Sequence, residues 1–235
     1  MRPFRRILLS AVVGGLTAVS ARADDHPDLL DGKTPEAKAA LKEKFKELKL
    51  RKTRFWYLDF TYETPQPILV QDPIDGLKNY WYVLYKVTNN TGKLRKPIAL
   101  DFVIRDDEEK RYHDSPKPFV KESIEWKIGR KLLDSVEMNT QIEDGQTKEG
   151  VAIFGQIDLK MDRMSLFVSG LTDEMQTKIE NGRTYIWRRV KKIHYERPGD
   201  EFQRNYDPVR PQDRDAKGYW QPVEEWVMEP AGWVK

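Results

Sequence analysis

Cysteine is absent from all 235 residues, which removes thiol catalysis, thiolate metal sites and any disulfide framework. Histidine is scarce. His26, His113 and His194 lie far apart, and none belongs to the HExxH pair of a zinc hydrolase. No serine stands in a GxSxG elbow, since Ser169-Gly170 follows an apolar run without the preceding glycine. TNNTGK at 88–93 shares only its GK step with a phosphate-binding loop, because the earlier glycine is missing. The acids of DDEEK at 106–110 lack the alternating spacing and internal glycine of a calcium loop and are expected to form a charged hairpin tip. Paired carboxylates of a glycoside hydrolase would show only in folded separation, so Asp59, Asp101 and Glu149 argue neither way. The expectation is a protein that is not an enzyme and needs no cofactor or metal.

Long apolar runs are also missing, apart from a short one at 7–19. Arg2, Arg5 and Arg6 precede it, and Ala21-Arg22-Ala23 follows with small residues where a signal peptidase reads them. A spanning helix needs about 20 apolar residues, whereas this run is shorter and contains two glycines. Residues 1–23 are therefore expected to be a signal peptide cleaved near Ala23, leaving an extracytoplasmic chain, periplasmic or secreted, with no transmembrane anchor. The leader also explains the basic balance. Removing its four arginines from the 41 basic residues leaves 37 against 38 acids, so the mature chain has a net charge of −1. A nucleic-acid or general polyanion partner loses its main support.

Aromatic residues are present in quantity, with seven Trp, ten Tyr and nine Phe to build a core. After a linker, Thr34, Pro35 and Glu36 give a helix-start pattern, and Ala37, Leu41, Phe45 and Leu48 share a stripe; residues 24–52 are expected to be linker and amphipathic helix. From Thr53 the period changes to two. Trp56, Leu58, Phe60 and Tyr62 lie on one side of a strand that Pro65 and Pro67 are expected to end. DPIDG at 72–76 marks a turn, and YWYVLYKVTNNTG at 80–92 reads as a half-buried strand, with Trp81, Val83, Tyr85 and Val87 inward. Asn89, Asn90 and Gly92 suit a left-handed turn at its end; the sequon Asn89-Asn90-Thr91 is read as incidental. Further strands are expected over 98–105, 149–154 and 163–168.

Residues 118–136 fit two periods. Val120, Ile124, Ile128, Leu132 and Val136 recur every four residues and predict a helix weakened at Gly129, while Ile124, Trp126 and Ile128 alternate as a strand would. RTYIWRRVKKIHYE at 183–196 reads as a long exposed or edge strand, with Trp187, Arg189 and Lys191 on one face. Five of the 14 prolines follow from Pro198, and 198–235 is expected to be an irregular arm anchored by Trp220, Trp226 and Trp233, with EEWVME as a short strand.

VLYKVTNNTGK at 83–93, FVIRDDEEKRY at 102–112, and IEDGQTKEGVAIF with MSLFVSGL resemble a family of secreted bacterial domains of unassigned activity. The resemblance spans about 55–172, and the tail YIWRRVKKIHYERPGDEF is similar to the C-terminal arm of longer proteins of that type. It implies an immunoglobulin-like β-sandwich and a binding or assembly role at the cell envelope, with no catalytic residues. The N-terminal helix, the 118–136 insertion and the long tail depart from the family's shorter members.

The expected fold is thus mainly β, an immunoglobulin-like antiparallel β-sandwich over 53–197 with an N-terminal helix, an inserted helix and an irregular Pro-rich arm packed on it. The expected function is a non-enzymatic extracytoplasmic binding or structural protein of the envelope, whose partner is an envelope protein or polysaccharide. A carbohydrate-binding module with exposed aromatic rings is the alternative, and a hydrolase with a carboxylate pair the second. Tyr80, Tyr82, Trp187, Arg189 and Lys191 are the candidate ligand-binding residues.

Overall fold

A computed structural model describes residues 43, 46, 54–157, 161–197, 209–214 and 220–234. Among these residues the chain is mainly β, with two principal antiparallel sheets and two helices. Strands β1 (Asp59–Tyr62), β2 (Gln66–Asp72), β3 (Gly76–Thr88) and β6 (Thr147–Phe154) form a four-stranded sheet. Strands β4 (Asp101–Asp106), β5 (Arg111–His113), β7 (Arg163–Ser169), β8 (Met175–Glu180), β9 (Arg183–Glu196), β10 (Arg210–Pro211) and β13 (Val223–Val234) form a seven-stranded one. A ribbon joins β11 (Asp213–Arg214) to β12 (Trp220–Gln221). The predicted signal peptide lies outside the described residues, as does the predicted helix apart from Glu43 and Lys46, which are helical and exposed.

The central strand of the first sheet is β3. β1 and β2 follow one another along one edge, and β6 takes the other. Period-two alternation turns Trp81, Val83, Tyr85 and Val87 into a core shared with the second sheet. That core includes Ala152 and Phe154 of β6 and, from the opposite sheet, Phe102, Ile104, Leu166, Val168 and Ile193, so the sheets pack face to face in a sandwich-like arrangement. Each fully buried Val, Leu, Ile or Phe side chain among them contributes roughly 1.5–3 kcal/mol.

The outer face of β3 corrects the half-buried reading. Tyr80, Tyr82 and Leu84 are 2–6% exposed, because α1 (Pro118–Ile128) lies across them with Val120 and Ile124 inserted. A strand covered on both faces needs apolar residues at every position, which is why this run is continuous. Pro118 occupies the first turn of α1, and Gly129, at φ +72°, closes it with its N–H on the Glu125 carbonyl. Beyond Gly129 the chain leaves the helix. Leu133 bridges Gly150 in parallel, and α2 (Ser135–Met138) follows, capped by Asp134 with Glu137 returning the bond. The helical period read over 118–136 therefore holds as far as Gly129, and Ile124, Trp126 and Ile128, whose alternation suggested a strand, stand inside α1.

Three other expectations change. Pro67 sits inside β2 opposite Trp81; among the described residues β2 pairs on one edge only, the setting in which a strand tolerates proline. β9 is not an edge strand. β8 and β7 occupy one of its edges in succession, and β13 with β10 the other. The tail, where described, is not an irregular arm, since EEWVME belongs to the 12-residue β13, paired with β9 from Thr184 to His194.

Candidate functional site

Alternation along β9 sets Trp187, Arg189, Lys191, Ile193 and Tyr195 on one face and Arg188, Val190, Lys192 and His194 on the other. Ile193 and Tyr195 belong to the shared core, so the first face is the inner one. Register carries the assignment sideways. On β13, Glu224 lies beside Ile193, Trp226 beside Lys191 and Pro230 beside Trp187; on β8, Gln176 lies beside Trp187 and Lys178 beside Tyr185. Moving along β9 away from the core, the inner face passes from aliphatic to aromatic and charged.

The charges nearest the core are braced. Lys191 Nζ lies 2.6 Å from Glu224 Oε2, and the Tyr62 hydroxyl, from the other sheet, donates to Glu224 Oε1 at 2.5 Å. Burial, and then the Glu224 carboxylate, push the Tyr62 hydroxyl well above the ordinary phenol range. One turn of the pleat further on, the Tyr57 hydroxyl donates to Glu174, a carboxylate only 2% exposed, and the edge of Tyr57 meets the Trp226 ring at 5.2 Å. Arg189 donates its backbone N–H to the Glu174 carbonyl at 3.0 Å, and its Nε stands 3.6 Å from Glu174 Oε2. That separation is an ion pair beyond hydrogen-bond reach, and Arg189 Nε, although buried, has no hydrogen-bond partner among the described residues.

The far end is different. Trp187 is partly exposed, but its indole Nε1 is buried without a partner among the described residues. Lys178 Nζ, on an exposed side chain, stands 3.8 Å above the Trp187 ring.

The outer face of the same sheet is a ladder of pairs. Arg188 meets Asp101 at 3.3 Å, Arg105 meets Glu229 at 3.2 Å, and Glu225 receives both Lys192 and His194. Burial opposes ionisation of Glu225, but hydrogen bonds from His194 and Lys192 outweigh it and hold the carboxyl below its ordinary range. Arg105 and Lys192 also cover the Phe167 ring, at 4.2 and 5.7 Å.

Of the five candidate residues, Trp187, Arg189 and Lys191 come together on one face. Tyr80 and Tyr82 do not join them and are no surface: α1 covers both, and their hydroxyls donate to Asp72 and Gln66. The sequence reading missed Tyr57, Glu174 and Lys178. Asn181-Gly182, at φ +51° and +72°, is the hairpin signal that would have placed β8 against β9. The acids weighed for hydrolysis stand on separate strands with separate partners: Asp59 with Asn90, Asp101 with Arg188, and Glu149 with Lys86 and Arg130. Among the described residues, no group of three His, Asp or Glu side chains is placed to hold a metal ion, and no helix is long and apolar enough to cross a membrane. Set against known families, characterised proteins and solved structures, the chain finds no match.

Proposed function

We propose that the protein is a non-enzymatic binding or structural protein of the cell envelope, built on an immunoglobulin-like β-sandwich and working outside the cytoplasm after loss of residues 1–23. The observation that carries this reading is the inner face of β9. Its core end is locked by Lys191–Glu224–Tyr62 and Tyr57–Glu174, whereas its far end holds donors, Trp187 Nε1 and Arg189 Nε, that no group among the described residues satisfies. Braced side chains hold shape, and unsatisfied donors beside them suit recognition.

A sugar-stacking module draws less support. Trp81 is 2% exposed, Trp126 is 89% exposed but stands on α1 across the first sheet, and Lys178 already covers one face of Trp187. Open, coplanar rings are what stacking requires.

The test starts from the chain expressed with its own leader and recovered from the extracytoplasmic fraction. N-terminal sequencing should begin at Asp24. The purified protein is then immobilised, exposed to envelope extract, and its retained material identified by mass spectrometry and sugar analysis. A defined partner lost with Trp187→Phe and Lys178→Gln together supports the proposal; no retention, or retention indifferent to both changes, counts against it.

A further inference from the structure

Trp187 Nε1 can only donate a hydrogen bond, and so can every nitrogen of Arg189 and Lys178. Trp187 and Arg189 stand two residues apart on the inner face of β9, and Lys178 reaches the Trp187 ring from the next strand. Among the described residues the formal charges leave one cation over: Glu174 offsets Arg189, while Lys178 faces the ring with no acid paired to it. An unsatisfied buried donor is destabilising, and an acceptor placed there would recover that loss.

We infer that the Trp187, Arg189 and Lys178 end of this face binds an anionic group, a carboxylate or a phosphate. This rests on the binding reading above and names its ligand chemistry. Three donor-only side chains with a surplus positive charge match an oxyanion, and a neutral hydroxyl would leave that charge unanswered. The acid sits on the side of Arg189 away from Glu174, which would repel it. Lys178 supplies access. Its exposed four-carbon stem lets the ammonium leave the ring face for the ligand at little cost, because among the described residues no carboxylate holds it in place.

Nuclear magnetic resonance of the indole N–H signals provides the test. The full secreted chain, labelled with nitrogen-15, is titrated with inorganic phosphate, with galacturonate and with neutral galactose, and the Trp187 signal is identified by its loss in Trp187→Phe. The expected result is a saturating shift of that signal with one or both anions and none with galactose. Phosphate alone would indicate a phosphoryl ligand, galacturonate alone an acidic polysaccharide. Lys178→Gln should weaken binding about tenfold or more, as a lost hydrogen bond to a charged group does. Arg189→Gln would leave Glu174 buried without its cation and risks unfolding, so Lys178→Gln carries the comparison. An unmoved Trp187 signal with both anions, or an unchanged affinity in Lys178→Gln, overturns the inference. An equal response to galactose overturns the anion assignment while leaving a binding site at Trp187; loss of envelope capture as well would remove the binding reading itself.

Discussion

Asn89 shows how much one polar side chain can organise. Fully buried, it donates to the carbonyls of Lys93 and Ile142 at 2.7 and 2.8 Å and accepts from the N–H and hydroxyl of Thr91. Both amide hydrogens are committed, so the sequon reads as a turn clasp; the left-handed residue of that turn is Gly92 alone, at φ +76°. Asn89→Ala should cost roughly 1–3 kcal/mol in urea unfolding, since the carbonyls of Lys93 and Ile142 each lose one donor and keep only the Thr91 hydroxyl and the Arg95 N–H. Gly150 is fixed by space. A β-carbon there would stand 2.5 Å from Tyr85 Cζ and 2.8 Å from Met138 Cε, so Gly150→Ala should lose about 1–3 kcal/mol while Gly155→Ala, facing open space, should not. Asp72 gives a pH prediction. The Tyr80 hydroxyl, then the N–H groups of Ile74 and Asp75, hold its carboxyl down at about 2 against an ordinary 3.8. The native state thus takes up the proton less readily than the unfolded chain. That stabilisation is complete above about pH 4 and is lost as pH falls toward about 2. Burial, and then Asp72, push the Tyr80 phenol up to about 12, so its share is lost on the alkaline side as pH rises from about 10 to about 12. Urea midpoints measured across pH should show a shallower acid limb in Asp72→Asn and a shallower alkaline limb in Tyr80→Phe. Unchanged slopes would mean that this hydrogen bond does not form in solution.

At the scale of elements, local chemistry was legible where it was strong and ambiguous where two signals overlapped. The strands over 59–62, 76–88, 101–106, 147–154 and 163–169 follow the alternation of their side chains, and the turn at 72–76 and the hairpin tip at 106–110 follow their acids. Asp72 and Asp106 each accept from backbone N–H groups inside their own turns. The four-residue repeat read over 118–136 does not continue as one helix because Gly129 ends α1, and a periodicity window that crosses a left-handed residue mixes two structures. Its burial pattern records the change. Val120 and Ile124 are fully buried ahead of Gly129, whereas Val136, the last member of the apparent repeat, is 68% exposed. Ile124→Ala should therefore destabilise by about 2–5 kcal/mol and Val136→Ala by almost nothing, measured by thermal or urea unfolding. Equal effects would mean that the helical stripe continues past Gly129. The missed strand β8 has the opposite cause. MQTKIE is polar enough to look like a loop, and only its Asn181-Gly182 connection reveals a partner in β9.

For the whole molecule, pairing partners were what the sequence could not supply, because strand order depends on contacts between residues far apart in the chain. The basic stretch 183–196 shows the consequence. Seen alone, its lysines and arginines suit an edge that repels other chains; in the fold, the acids that neutralise them arrive from other strands and loops, Glu224 and Glu225 on β13 for the lysines, Asp101 on β4 and Glu174 for the arginines. The candidate site was legible to the same extent. Trp187, Arg189 and Lys191 share a face by alternation alone, but Glu174, Lys178 and Tyr57 join them only through register and tertiary packing. A tail that merely wrapped the domain would be dispensable, whereas β13 closes one edge of β9 over eleven residues, 184–194. A chain ending at Pro222 would expose that edge and strip Lys191, only 13% exposed, of its carboxylate. Breaking one buried pair in this way costs about 3–5 kcal/mol when burial is complete, and the lost ladder adds to it. Two measurements decide the matter. In the full chain, hydrogen exchange should protect the amides of 184–194 as strongly as those of β3, because both strands are paired on two edges. The truncated chain should lose its cooperative urea transition; an unchanged midpoint would reduce β13 to an ornament on a complete domain. Glu224→Gln separates edge from charge. It keeps the ladder and weakens only the Lys191 and Tyr62 contacts, so the transition should stay cooperative at a lower midpoint.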